Sequence, residues 1–177
     1  MKIFRFTVLI IVLGFIVSAG VFAQSASHTV SVTIPEIRLL AINGGAVALD
    51  VIPPVDPGDP GTGKSDATTR LFYTSLVLSG SFNLITVEAD PGPTVPAGTS
   101  ITVEATSIAG TGTFVGSSAG QVTFTSMLGG AQNFITNIGS VYTGVNPVTD
   151  GAVLTYALSF TQFENLNALA APVDFNV

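Results

Sequence analysis

The sequence predicts an all-β protein: an antiparallel β-sandwich, immunoglobulin-like or jelly-roll, with Greek-key connections. Three observations carry the prediction. Charged residues make up only 9% of the 177 positions, against roughly 25% in an average soluble domain, and Ser, Thr, Asn and Gly stand in their place. Apolar residues recur with period two in segment after segment, as in strands with one buried face, and no stretch repeats with a helical period. Clusters of Gly, Pro and Asn interrupt these segments roughly every eight to twelve residues, which yields about nine to eleven short strands.

Residues 1–23 bring Lys2 and Arg5, an apolar run, and then the small residues Ser18, Ala19, Gly20 and Ala23. That is the tripartite pattern of a secretory signal peptide, with cleavage expected after Ala23. The run from Phe6 to Phe22 approaches the roughly 17 to 25 apolar residues that span a bilayer, and the small residues at its end favour cleavage over anchoring. No later segment is apolar and long enough to span as a helix. Residues 24–177 are therefore expected to form a single secreted, periplasmic or cell-surface domain without a transmembrane span.

Residues 28–42, HTVSVTIPEIRLLAI, open that domain. Val30, Val32 and Ile34 alternate with Thr29, Ser31 and Thr33, the signature of a strand. Pro35 has no N–H for a ladder, so the strand should end, kink or change sheets before residues 37–42 resume it. Asn43-Gly44-Gly45 signals a turn, and residues 46–52 read as a further strand. Residues 53–69, PPVDPGDPGTGKSDATT, are expected to form the longest loop. It holds Asp56, Asp59 and Asp66, the calcium candidates of the chain, since hard cations take carboxylate and carbonyl oxygens. Their spacing does not match an EF-hand, and the competing reading is a plain solvated loop.

Residues 70–78 and 82–89 flank Ser79-Gly80-Ser81 and are expected to pair as a hairpin. Residues 100–106 alternate Ile101, Val103 and Ala105 against Thr102, Glu104 and Thr106, so Glu104 should face water. The glycine-rich residues 110–120 lack the Lys-Ser or Lys-Thr end of a phosphate loop, and Phe114 and Val115 are expected to pin them to the core. Two short strands, 121–126 and 133–138, surround a Leu128-Gly129-Gly130 turn. Residues 152–160, AVLTYALSF, put Leu154, Tyr156, Leu158 and Phe160 on one core-directed face. At the end of the chain, Val173, Phe175 and Val177 alternate as a last strand.

Charge and chemistry exclude several functions. Once Lys2 and Arg5 leave with the leader, Arg38, Lys64 and Arg70 face eleven acidic residues, a net charge of −8. Nucleic acid is excluded as a partner, because binding needs a basic surface to release counterions from phosphates. The absence of cysteine removes disulfides, thiol nucleophiles and thiolate metal sites. His28 is the only histidine, so neither an imidazole metal centre nor a serine triad is indicated. Glu88, Glu104, Asp150 and Glu164 could form a carboxylate pair for glycoside hydrolysis, but any acidic chain offers such pairs. Tyr73, Tyr142 and Tyr156 are read as core or rim residues rather than a sugar platform. No catalytic residue and no cofactor is assigned, and the protein is expected not to be an enzyme.

Sheet proteins defend their edges with Lys, Pro, bulges or short strands, and several segments here carry only Thr, Ser and Val. Such edges are covered within the fold or used for assembly. The leading expectation is a secreted structural protein that assembles through β-strand pairing into a homo-oligomer or filament. Val30, Val32 and Ile34 are its assembly strand, and Val173, Phe175 and Val177 a pairing strand for it. The alternative is a non-catalytic adhesion or carbohydrate-binding module whose partner is a surface glycan.

The leader, the run VSVTIPEIRLLAI, the segment IGSVYTGVNPVTDGAVLTYALSF and the terminal VDFNV resemble a group of uncharacterised exported β-sandwich proteins of Gram-negative bacteria. More distantly they are similar to pilin, fimbrial and coat subunits, whose chains also begin and end in alternating strands. The resemblance covers the two ends better than the middle. It implies a surface structural role and brings no catalytic residues. The chain lacks the cysteines common in chaperone-assembled pilins.

Overall fold

The computed structural model describes residues 29–90, 95–125, 130–160, 166 and 172–174. The chain divides into two units, Met1–Ile34 and Pro35–Val177. In the first, the described residues 29–34 carry no strand and their side chains are exposed. The strand expected over residues 28–34 is thus not formed within this chain, because an extended segment becomes a strand only with a ladder partner, and residues 29–34 have none among the described residues. The leader and His28 lie outside the described residues.

Among its described residues the second unit holds twelve strands: β1 Ile37–Asn43, β2 Val51–Ile52, β3 Thr62–Gly63, β4 Ser65–Leu76, β5 Asn83–Val87, β6 Thr99–Ala109, β7 Thr111–Gly112, β8 Val115–Ser118, β9 Val122–Phe124, β10 Gln132–Ile138, β11 Val141–Tyr142 and β12 Gly151–Phe160. Among the described residues there is no helix. Every ladder is antiparallel. The protein is all-β, as the period-two patterning predicts.

Three long strands build a seven-stranded sheet. β6 pairs with β12 along nearly its whole length, from Thr99 opposite Phe160 to Ala109 opposite Gly151. β12 then pairs with β4, and β9 extends the sheet beyond β6. Over Arg70–Leu76, where β1 pairs with it, β4 has both edges in use. Leu71 faces Ala152 of β12 on one side and Ile42 of β1 on the other, and β11, with β7 beyond it, continues along the β12 side. β5, β10 and β8 form a separate three-stranded sheet in that order, and β2 pairs with β3.

The expected hairpin of residues 70–78 and 82–89 is overturned by this arrangement. β4 and β5 belong to different sheets, because β4 has no free edge left for β5. The connection turns at Gly80, whose φ is +81°, with the Ser81 N–H donating to the Leu78 carbonyl at 3.0 Å. β9 and β10 part in the same way, β9 to β6 and β10 to β5 and β8. The loop expected over residues 53–69 is shorter than predicted. β4 starts at Ser65 because β12 is long enough to pair with it there, Ala157 opposite Ser65 and Tyr156 opposite Asp66, and the Leu158 N–H donates to the Lys64 carbonyl at 3.0 Å. Gly63 is required at this crossing, since a Cβ would collide with the Leu158 carbonyl.

The core forms where the two larger sheets meet. Leu71 and Tyr73 of β4, Val103 and Ala105 of β6, Val122 and Phe124 of β9 and Leu154 of β12 are buried in one cluster with Phe134, Ile135 and Ile138 of β10. Ile101 and Tyr156 pack against it, half-buried. Val103 and Ala105 are thus core residues, as the alternation predicts. Two strands bend to fit. Ser107 and Asn137 have φ of 48° and 58°, each beside a register shift in its ladder, which is how a bulge redirects a strand.

Candidate functional site

The feature that stands out on the second unit is an open groove beside β1. β1 pairs with β4 on one side, and its outer edge has no partner among the described residues. Among the described residues β5 likewise pairs only with β10. Arg38, Leu39 and Leu40 of β1 and Phe82 to Thr86 around β5 border a groove of about 520 Å³. Its floor carries Tyr73 and Ser75 of β4 and Ile138 of β10. An amide hydrogen bond from Asn83 Nδ2 to Ser75 Oγ at 3.0 Å ties the two sides together.

β1 is apolar on both faces. Leu40 and Ile42 stand opposite Tyr73 and Leu71 and share their face, yet Leu40 is 57% and Ile42 59% exposed, whereas Tyr73 and Leu71 are core residues at 5% and 3%. Leu39, on the other face, is 66% exposed. Consecutive apolar residues of both parities usually mean a strand covered on both sides. Here the cover is missing, so this edge is both unpaired and greasy. Arg38 is the one charge within β1, and it faces Glu36 at 3.5 Å.

The alternation of Val30, Val32 and Ile34 points to them as the assembly strand, whereas the open edge in the structure is β1 itself. The signal was present in Leu39-Leu40 and Ile42, which break the one-face alternation. Of the expected pairing strand, Val173 is described and partly exposed, while Phe175 and Val177 lie outside the described residues.

Asp66 accepts from the Thr68 N–H at 2.9 Å and from its hydroxyl at 2.7 Å, and these bonds hold its carboxyl below the usual range. The Asp59 N–H donates to the Asp56 carbonyl. Among the described residues no three carboxylates or imidazoles converge on a point that could hold a metal ion, so Asp56, Asp59 and Asp66 are not brought together as a calcium cage. Asp150 staples its own loop: it accepts from the Asn146 N–H at 2.9 Å and the Thr149 hydroxyl at 2.8 Å. These bonds, the Asn146 one foremost, hold its carboxyl below the usual range, and the Arg70 charge adds to them. The Arg70 guanidinium donates to the carbonyls of Val148 and Asp150. Glu164 lies outside the described residues.

Tyr73 donates its hydroxyl to the Val115 carbonyl, so β4 is tied to β8 across the core. Burial pushes its phenol up to about 12, and raises that of Tyr156 as well. Tyr142 is exposed on β11. Phe114, expected to pin its loop to the core, is instead about half exposed and meets Phe82 edge-on at 5.2 Å, a favoured aromatic geometry. No helix among the described residues is long and apolar enough to cross a membrane. No protein-family model, curated protein or solved structure matches this chain.

Proposed function

We propose that this protein is an exported structural subunit of an extracellular filament, fimbria or coat, assembled by pairing strands of neighbouring copies. On this reading the leader directs it to the periplasm or cell surface. The fold is a β-sandwich of the immunoglobulin-like or jelly-roll kind left open along the groove, and the protein does no catalysis. The observation that carries the proposal is β1, a seven-residue edge strand with a free ladder and exposed Leu39, Leu40 and Ile42. Monomeric sheet proteins rarely leave such an edge undefended, because it templates pairing with another chain.

The volume of the groove favours a second reading, an adhesion module that takes a glycan segment. Its 520 Å³ lies within the roughly 300 to 1,000 Å³ of small-ligand sites. Electron microscopy and light scattering of the purified full chain separate the two. Regular filaments or a ladder of oligomers, lost in Ile42→Lys, support the assembly reading. A monomer at high concentration that binds a polysaccharide overturns it.

A further inference from the structure

We propose that the free edge of β1 is filled by residues 29–34 of a second copy, laid antiparallel so that Val30, Val32 and Ile34 point into the groove. This rests on the assembly reading and names its partner segment.

The edge and the segment are complementary. Leu40 and Ile42 sit beside core residues and lack a neighbour on one side. A strand added there places its side chains about 4.5 to 5.5 Å from theirs. Residues opposite one another in an antiparallel pair share a face, so Val30, Val32 and Ile34 fall together on the side of Leu40 and Ile42 whenever even positions oppose even ones. The segment is uncharged, alternates without a break, and exposes Val30, Val32 and Ile34 at 70%, 78% and 73%. Its six residues span about 20 Å, close to the length of β1.

Folding back within the same chain does not lay down this whole strand. Only Pro35 and Glu36 separate Ile34 from Ile37. A two-residue hairpin needs a positive φ at its first central residue, and proline is locked near −65°. A three-residue loop needs a left-handed residue at its third position, which falls on Glu36 or the β-branched Ile37, and neither has a positive φ. A four-residue loop shifts the pairing by one and turns the valines away from the groove. A five-residue loop keeps the parity but either takes Ile37 out of its pairing with Leu76 or leaves Val32 and Ile34 in the loop, so the whole segment is supplied by another molecule. Head-to-tail addition gives an open chain, whereas reciprocal exchange about a two-fold axis gives a closed pair with Val32 opposite Leu40.

The chain has no cysteine, so engineered thiols report the pairing without background. Full-length Leu40→Cys protein is mixed with a differently tagged partner carrying Val30→Cys, Val32→Cys or Ile34→Cys and mildly oxidised, with Val55→Cys, on a fully exposed loop, as control. At least one of the three is expected to form mixed disulfides with Leu40→Cys at ten or more times the yield of the control. Yields no higher than the control overturn the proposal, as does an intrachain disulfide in a dilute Val32→Cys/Leu40→Cys double variant. Light scattering then separates the two claims: a cross-linked ladder supports both, while a cross-linked pair that grows no further supports the strand exchange and overturns the filament.

Discussion

Removing one oxygen from Tyr73 should change how stability depends on pH. The Tyr73 hydroxyl donates to the Val115 carbonyl across the core, and burial raises its pKa to about 12. An unfolded tyrosine titrates near 10. Below about pH 10 both states hold the proton and the full stability is present. Between about 10 and 12 the unfolded chain ionises while the native one does not, so stability falls. A difference of two units corresponds to about 2.7 kcal/mol at the limit. Because Tyr73 lines the open groove, where water screens the phenolate, about 2 kcal/mol is the working figure. Tyr73→Phe should also be less stable at neutral pH by about 1 kcal/mol, because the Val115 carbonyl loses its tyrosine donor. It should also lose less stability on going to high pH, retaining the share due to Tyr156, whose phenol burial also raises. Urea unfolding followed by far-ultraviolet circular dichroism at about pH 8 and about pH 11 reads both quantities. Wild type and variant losing the same stability between the two pH values would refute the argument.

Other substitutions test the packing. Ile135 is fully buried at the centre of the core, and Ile135→Ala should cost about 2 to 5 kcal/mol in the same unfolding assay. The Thr69 hydroxyl is buried without a partner; the near-isosteric Thr69→Val should leave stability unchanged or raise it by about 1 kcal/mol, and a loss above that figure would show the hydroxyl to be satisfied. Gly116 and Gly80 both have positive φ, but a Cβ at Gly116 would stand 2.7 Å from Ile135 Cγ2 while one at Gly80 meets nothing. Gly116→Ala should thus lower the urea midpoint clearly more than Gly80→Ala, which carries only the backbone strain of about 1 kcal/mol. Ile42→Lys, at an exposed edge, should change monomer stability by less than about 0.5 kcal/mol and still abolish assembly.

Much of the fold was legible because the signals were local. The alternation of Ile101, Val103 and Ala105 reads as β6, and the apolar stretch from Ala152 to Phe160 reads as β12, the strand at the centre of the larger sheet. Polar residues such as Ser65 and Asp66 became strand only because β12 was long enough to pair with them, a condition set by a segment some ninety residues away in the chain. The misassigned hairpin of residues 70–78 and 82–89 has the same origin. A short glycine turn between apolar runs suggests pairing, but whether pairing follows depends on whether an edge is free.

By itself the sequence determined the all-β class, the absence of cysteine chemistry and the acidic charge, since composition and period two suffice for these. Only the tertiary structure decided that β4 is paired on both sides over Arg70–Leu76, that β5 joins β10 instead, and that β1 has an outer edge with no partner among the described residues, above a groove. Edges and grooves are properties of which strands have already paired. That is why Leu40 and Ile42, indistinguishable in sequence from core residues, stand exposed beside Tyr73 and Leu71.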